Sequence, residues 1–162
     1  MAVTPTDCAV REDRRSRAGP AGKTPLESDS DTRPADFSNL RALVVDDIPT
    51  NLKVLSHLLS KLGVTVETCE SGEEALKLCE SREYHIILMD LHMPAMSGYE
   101  TGEKILSMRK GKFPLLVAQT ADETDTACER TRQIGFDGHL TKPIRSAGVG
   151  KFLERAKAAL IG

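Results

Sequence analysis

Four short stretches of the 162-residue chain set reactive side chains at the ends of apolar runs. RALVV leads into Asp46 and Asp47, HIILM into Asp90, FPLLVA into Thr120 two residues on, and GHLT into Lys142 and Pro143. A carboxylate beside a buried run is costly unless it stands where the chain leaves the core. Three carboxylates gathered together repel one another, and keeping all of them ionised requires a cation. An oxygen-only set of this kind suits Mg²⁺, which keeps octahedral geometry and takes one or two carboxylates plus phosphate oxygens. Beside such a cation one aspartate can serve as nucleophile toward a phosphoryl group. The Lys142 ammonium and the Thr120 hydroxyl would then bind the remaining phosphoryl oxygens.

That chemistry requires a fold that delivers all these residues to one rim. Residues 41–45 read as a short buried strand, and Pro49 opens a helix whose stripe is Leu52, Leu55, Leu58, Leu59 and Leu62, ending at Gly63. A second strand is expected over 64–68. Ser71 then caps a helix, with Glu74 completing a capping box and Ala75, Leu76 and Cys79 facing inward. A third strand over 85–89 precedes a helix over about 99–108 with Ile105 and Met108 inward. A fourth strand over 113–118 precedes a polar helix over about 123–134, stopped by Gly135. A short strand over 138–141 and a last helix, with Val149, Phe152, Leu153, Ala156 and Leu160 on its inner face, complete the series. Five strand–helix units without hairpin signals predict a doubly wound α/β domain with a parallel sheet covered on both faces. All strand C-termini of such a sheet lie along one edge, where ligands of open α/β sheets bind.

The remaining features narrow the function by exclusion. Residues 1–38 are polar and rich in Pro, Gly, Ser and Thr, too poor in apolar surface to fold, and are expected to be a disordered tail before a domain over 39–162. In that tail AGPAGKT lacks a phosphate-binding loop's first glycine, since position 17 is arginine, and no strand precedes it. Arg11, Arg14, Arg15 and Arg17 are interrupted by Glu12 and Asp13, the pattern of a solvated segment rather than an address. A net charge of −2, 4% aromatic residues and no Trp argue against direct nucleic-acid binding. Cys8, Cys69, Cys79 and Cys128 form no CxxC pair and read as reduced thiols. No apolar run is long enough to span a membrane, so a cytoplasmic location is expected, with the nucleus also open to it. His57, between Leu55 and Leu58, reads as a half-buried helix residue rather than a phosphotransfer histidine, and Met89, Met93 and Met96 as core and loop filling.

The order DD (46–47), D-x-x-MP (90–94), TA (120–121) and KP (142–143) resembles the receiver domain of two-component response regulators, from Arg41 to Leu160. DDIPTNLKVLSHLLSKLG is similar to receivers attached to hybrid histidine kinases, and PLLVAQTADETD to those of plant ethylene receptors. The resemblance implies a flavodoxin-like fold with strand order 2-1-3-4-5. It implies that Asp90 accepts a phosphoryl group from a histidine kinase or a histidine phosphotransfer protein. Asp46, Asp47 and Asp90 would hold Mg²⁺ with the backbone carbonyl of His92. Thr120 would be the switch hydroxyl, Lys142 the phosphoryl-binding cation, and Pro143 would follow a cis peptide. The chain would catalyse only its own phosphorylation and dephosphorylation, and would meet an unknown downstream protein through its fourth helix, fifth strand and fifth helix.

Two features depart from or modulate that pattern. His139 stands where the family commonly carries a Tyr or Phe switch, and an imidazole there adds a charge that can change near neutral pH. His92 and Asp122, each two residues beyond a site residue, occupy positions that tune hydrolysis of the aspartyl phosphate. The other readings are a phospho-independent interaction module, or a C-terminal receiver fragment of a hybrid histidine kinase receptor, since no kinase or output motif is present. A haloacid-type phosphatase would want a second aspartate where His92 stands.

Overall fold

The computed structural model describes residues 36–121 and 124–161. The tail expected over 1–38 therefore lies almost wholly outside the described residues, as does Asp122. Strands β1 (Arg41–Val45), β2 (Thr65–Cys69), β3 (Ile86–Asp90), β4 (Leu115–Thr120) and β5 (Gly138–Thr141) form one sheet. All pairings are parallel and the order is β2-β1-β3-β4-β5, as expected of a doubly wound fold. Helices α1 (Pro49–Lys61), α2 (Gly72–Ser81), α3 (Gly98–Met108), α4 (Asp125–Ile134) and α5 (Ser146–Ile161) alternate with the strands.

The alternation of strand side chains divides the core in two. Ala42, Val44, Ile86, Leu88, Leu115 and Val117 pack on one face against Leu52, Leu55 and Leu59 of α1 and Val149, Phe152, Leu153 and Ala156 of α5. Leu43, Val45, Ile87, Met89 and Leu116 pack on the other against Ala75 of α2 and Ile105 of α3. Strands buried on both faces need no polar alternation, which is why β3 and β4 are buried along their whole length. Phe37 is buried in the first cluster, so packing begins two residues before the boundary expected at 39. Among the described residues, no helix is long and apolar enough to cross a membrane.

Helix starts follow local chemistry. Ser71, Ser97 and Thr124 accept hydrogen bonds from the N–H groups of Glu74, Glu100 and Ala127, which would otherwise lack partners. The capping box is modified, because the Glu74 carboxylate accepts from the N–H of Glu70 rather than that of Ser71. Gly135 ends α4 at φ 115°, a left-handed conformation that glycine adopts without a Cβ penalty.

Three expectations are corrected. Strands β2, β3 and β4 run one or two residues later than the apolar runs indicate, because ladder pairing extends to Asp90 opposite Gln119 and to Thr120 opposite Thr141. His57 is exposed rather than half-buried, since the buried stripe of α1 is Leu52, Leu55 and Leu59. Leu160 is 40% exposed, lying in the last turn of α5 beyond its packed stretch.

Gly98 opens α3 where that helix meets the end of β3. A Cβ there would lie 2.7 Å from Leu91 Cα and closer still to the Asp90 carbonyl oxygen, both rigid backbone. Gly98→Ala is therefore expected to destabilise the fold by about 1–3 kcal/mol, the usual cost of forced overpacking. Urea unfolding measures it, and an unchanged midpoint would contradict this close approach.

Candidate functional site

Because parallel strands end on one edge, the C-termini of β1, β3, β4 and β5 bring Asp46, Asp47, Asp90, Thr120 and Lys142 together. One oxygen from each of Asp46, Asp47 and Asp90 lies within 4.8 Å of the others. Asp46 is fully buried, Asp90 is 3% exposed, and Asp47 is partly exposed. The Lys142 ammonium bridges the two buried carboxylates, donating to Asp46 Oδ2 at 3.2 Å and to Asp90 Oδ1 at 3.3 Å. The Lys142–Pro143 peptide is cis, as expected.

The two buried carboxylates differ in how well they are supplied with donors. Asp46 accepts from the Ile48 N–H at 2.9 Å, the Asn51 side-chain amide at 3.2 Å, and Lys142. Asp90 accepts on Oδ1 alone, from the His92 N–H at 3.3 Å and from Lys142. Among the described residues nothing donates to its Oδ2. Burial, and then the neighbouring Asp46 charge, push the Asp90 carboxyl above the ordinary carboxylate range, while Lys142 and the His92 N–H pull it back. An oxygen without a donor on a poorly stabilised carboxylate is chemically disposed to gain a bond.

The other expected residues are placed as follows. Thr120 is buried at the end of β4. His139 is buried on β5 in register with Ala118, on the sheet face opposite Leu140, and its Nδ1 lies 3.8 Å from Cys128 Sγ on α4. The His92 side chain is exposed, and the contact made at Asp90 is through its backbone N–H. Cys69, Cys79 and Cys128 are not joined in disulfides.

Two features escaped the motif-level reading. The Arg130 guanidinium of α4 lies 3.9 Å above the Tyr99 ring, which meets His92 edge-on at 6.4 Å, so a cation–π contact links the loop after Asp90 to α4. Gln119, in register with Asp90, is fully buried. Its signal was a polar residue inside the apolar run LLVAQT.

This geometry meets the comparisons with known proteins. The profile of the response regulator receiver domain matches residues 42–153. The chain belongs to the response regulator receiver domain family. It is 33% identical over 123 residues to ethylene receptor 2 of Oryza sativa subsp. japonica, covering 74% of this chain and 16% of that protein. It is 37% identical over 123 residues to hybrid signal transduction histidine kinase E of Dictyostelium discoideum, covering 73% of this chain and 7% of that one. The chain thus spans less than a fifth of the length of either relative. Among solved structures, the receiver domain of sensor histidine kinase PA1611 from Pseudomonas aeruginosa PAO1, with magnesium in its active-site cleft, superposes with a TM-score of 0.67. The identity is 29%, covering 74% of this chain and 98% of that one. The receiver domain of the histidine kinase CKI1 from Arabidopsis thaliana, complexed with Mg²⁺ and BeF₃⁻, gives a TM-score of 0.63 at 32% identity, covering 72% and 91%. This protein is therefore a receiver domain of two-component phosphorelay systems.

The electrostatics of Asp90 fix a sign. A raised carboxyl pKa means that the folded receiver holds this proton more tightly than the unfolded chain does. Its contribution to stability is present below the unfolded carboxylate pKa and is lost as pH rises through the raised folded value. In metal-free protein, Asp90→Asn is expected to raise the urea midpoint at pH 7, and the gain should shrink as pH falls into the carboxylate range. An unchanged or lower midpoint at pH 7 would contradict this reading of the site.

Proposed function

We propose that this receiver is a Mg²⁺-dependent phosphoryl acceptor whose nucleophile is Asp90, taking the group from a phosphohistidine on a histidine kinase or a histidine phosphotransfer protein. The observation that carries the proposal is the single Lys142 ammonium shared by Asp46 and Asp90, with Asp47 in the same cluster.

The donor set fits the metal. Three carboxylates within 4.8 Å offer hard oxygens in excess of the one ammonium, and Asp47 is open enough to leave solvent positions for retained waters. The bound cation supplies positive charge against the phosphoryl oxygens and lets all three carboxylates remain ionised beside one another. Asp46, Asp47 and Asp90 would hold it, with the His92 carbonyl as a further ligand.

In the transfer step, Asp90 Oδ2 forms a bond to phosphorus as the phosphorus–nitrogen bond of the partner's histidine breaks. The electron pair of that bond returns to the ring nitrogen it leaves, and the imidazole departs neutral because its other ring nitrogen carries a proton; the product is an acyl phosphate. Lys142 moves its hydrogen bond from the carboxylate to a phosphoryl oxygen, and Thr120 at the end of β4 binds another. The chain then acts only on itself, forming and hydrolysing its own aspartyl phosphate, with His92 and Asp122 at positions that tune the hydrolysis. Replacing the singly charged Asp90 carboxylate by an acyl phosphate, which carries up to about two negative charges, adds about one negative charge and a tetrahedral group, and would bias Thr120, His139 and the α4–β5–α5 face toward a downstream protein. Ile48, which follows Asp47 and precedes α1, and Val54, midway along α1, are 48% and 55% exposed and offer apolar surface suited to the phosphoryl-donating partner.

The test is intact-mass measurement after incubation with a small acyl-phosphate donor and Mg²⁺. One phosphoryl increment is expected, lost on chelation of the metal and absent in Asp90→Asn. No increment in the parent protein, together with partner binding indifferent to Asp90, would favour a phospho-independent interaction module.

A further inference from the structure

Gln119 is the one residue of β4 whose polarity the proposed chemistry does not use. Side-chain alternation puts it on the α1/α5 face of the sheet with Leu115 and Val117, directly beside Asp90 in the parallel register. It is fully buried, and its Nε2 donates to the Val45 carbonyl at 3.3 Å and the Leu88 carbonyl at 3.4 Å. Both acceptors are carbonyl oxygens, so the amide nitrogen must face them, and the side-chain orientation follows from the bonds themselves. Among the described residues Oε1 is buried with no hydrogen-bond partner.

These contacts are not what packing requires. A methionine of nearly equal volume would fill the space without burying an unpartnered oxygen, so what glutamine adds is the pair of donors. Their targets are specific. Val45 immediately precedes Asp46 and Asp47, and Leu88 lies two residues before Asp90 on the same side of its strand. One side chain of β4 thereby ties together the ends of the two strands that carry the three carboxylates, reaching across β3 to β1.

The geometry points to Gln119 as a positioning residue for the cation site: its amide fixes the spacing of Asp46 and Asp47 relative to Asp90. This rests on the metal-binding reading proposed above. Among the described residues no hydrogen bond joins Gln119 to a carboxylate, and it acts through the backbone carbonyls that precede them. Removing such an outer support of a metal site typically lowers affinity by about tenfold or more, even though no ligand is lost.

Calorimetric titration of the metal-free protein with Mg²⁺ tests this, alongside urea unfolding of the same samples. Gln119→Met removes both donors and keeps the volume, and is expected to weaken Mg²⁺ binding on the order of tenfold. Gln119→Asn, shorter by one methylene, keeps an amide that no longer reaches β1 and should be weakened in the same direction. Val117→Ala, on the same strand and face but two residues farther from the rim and without a hydrogen bond to β1, should lower the urea midpoint and leave Mg²⁺ affinity at the parent value. Parent-like affinity in Gln119→Met, or in Gln119→Asn should the methionine variant not fold, overturns the positioning role alone. Equal weakening by Val117→Ala also overturns it, since general loosening would then explain the effect. Absence of Mg²⁺ binding by the parent overturns both this role and the metal-dependent reading.

Discussion

Two buried carboxylates share one ammonium, and the rest of the molecule is arranged around that shortage of positive charge. At a separation of about 4 Å and an effective dielectric of about 20, two like charges repel by about 4 kcal/mol. Asp46 and Asp90 lie at comparable range, with Asp47 beside them, and Lys142 answers only part of that repulsion. The two carboxylates are not equally relieved. The Ile48 N–H and the Asn51 amide supplement Lys142 at Asp46, whereas among the described residues Asp90 has only the His92 N–H besides Lys142. The residue left most in need of positive charge is the one set at the end of the central strand.

The fold makes this arrangement attainable at modest cost. A parallel sheet delivers its strand ends to one rim without any long-range folding device beyond the ladder itself. Gly98 allows α3 to start against the backbone of Asp90 and Leu91, and Gln119 ties β4 to the ends of β3 and β1. The Arg130–Tyr99 stack and the Cys128–His139 contact then join that rim to α4. The loop that follows Asp90 is thus in physical contact with α4 through His92, Tyr99 and Arg130.

Much of this was legible in the sequence, for a definite reason. Buried parallel strands are written as unbroken apolar runs, and a carboxylate ending such a run is conspicuous, so the parallel sheet and the cluster of Asp46, Asp47, Asp90 and Lys142 could be anticipated, while the strand order came from the resemblance to receiver domains. Strand ends were less legible, because ladder pairing with a neighbouring strand extends β3 to Asp90 and β4 to Thr120 regardless of polarity. The exposure of His57 and Leu160 depends on how α1 and α5 lie on the sheet, which periodicity alone does not specify. Gln119 was visible as an anomaly in LLVAQT, but its partners, 74 and 31 residues away, are set by topology.

In the proposed reaction Asp90 presents a nucleophilic oxygen to a tetrahedral phosphoryl group beside a metal held by its acidic neighbours. The most direct measurement is fluorine NMR of the protein with Mg²⁺ and beryllium fluoride, a tetrahedral stand-in for that group. The account predicts bound fluorine resonances that require Mg²⁺, vanish in Asp90→Asn and shift in Lys142→Met. Bound resonances that persist in Asp90→Asn, or none in the parent protein at saturating Mg²⁺, would contradict it.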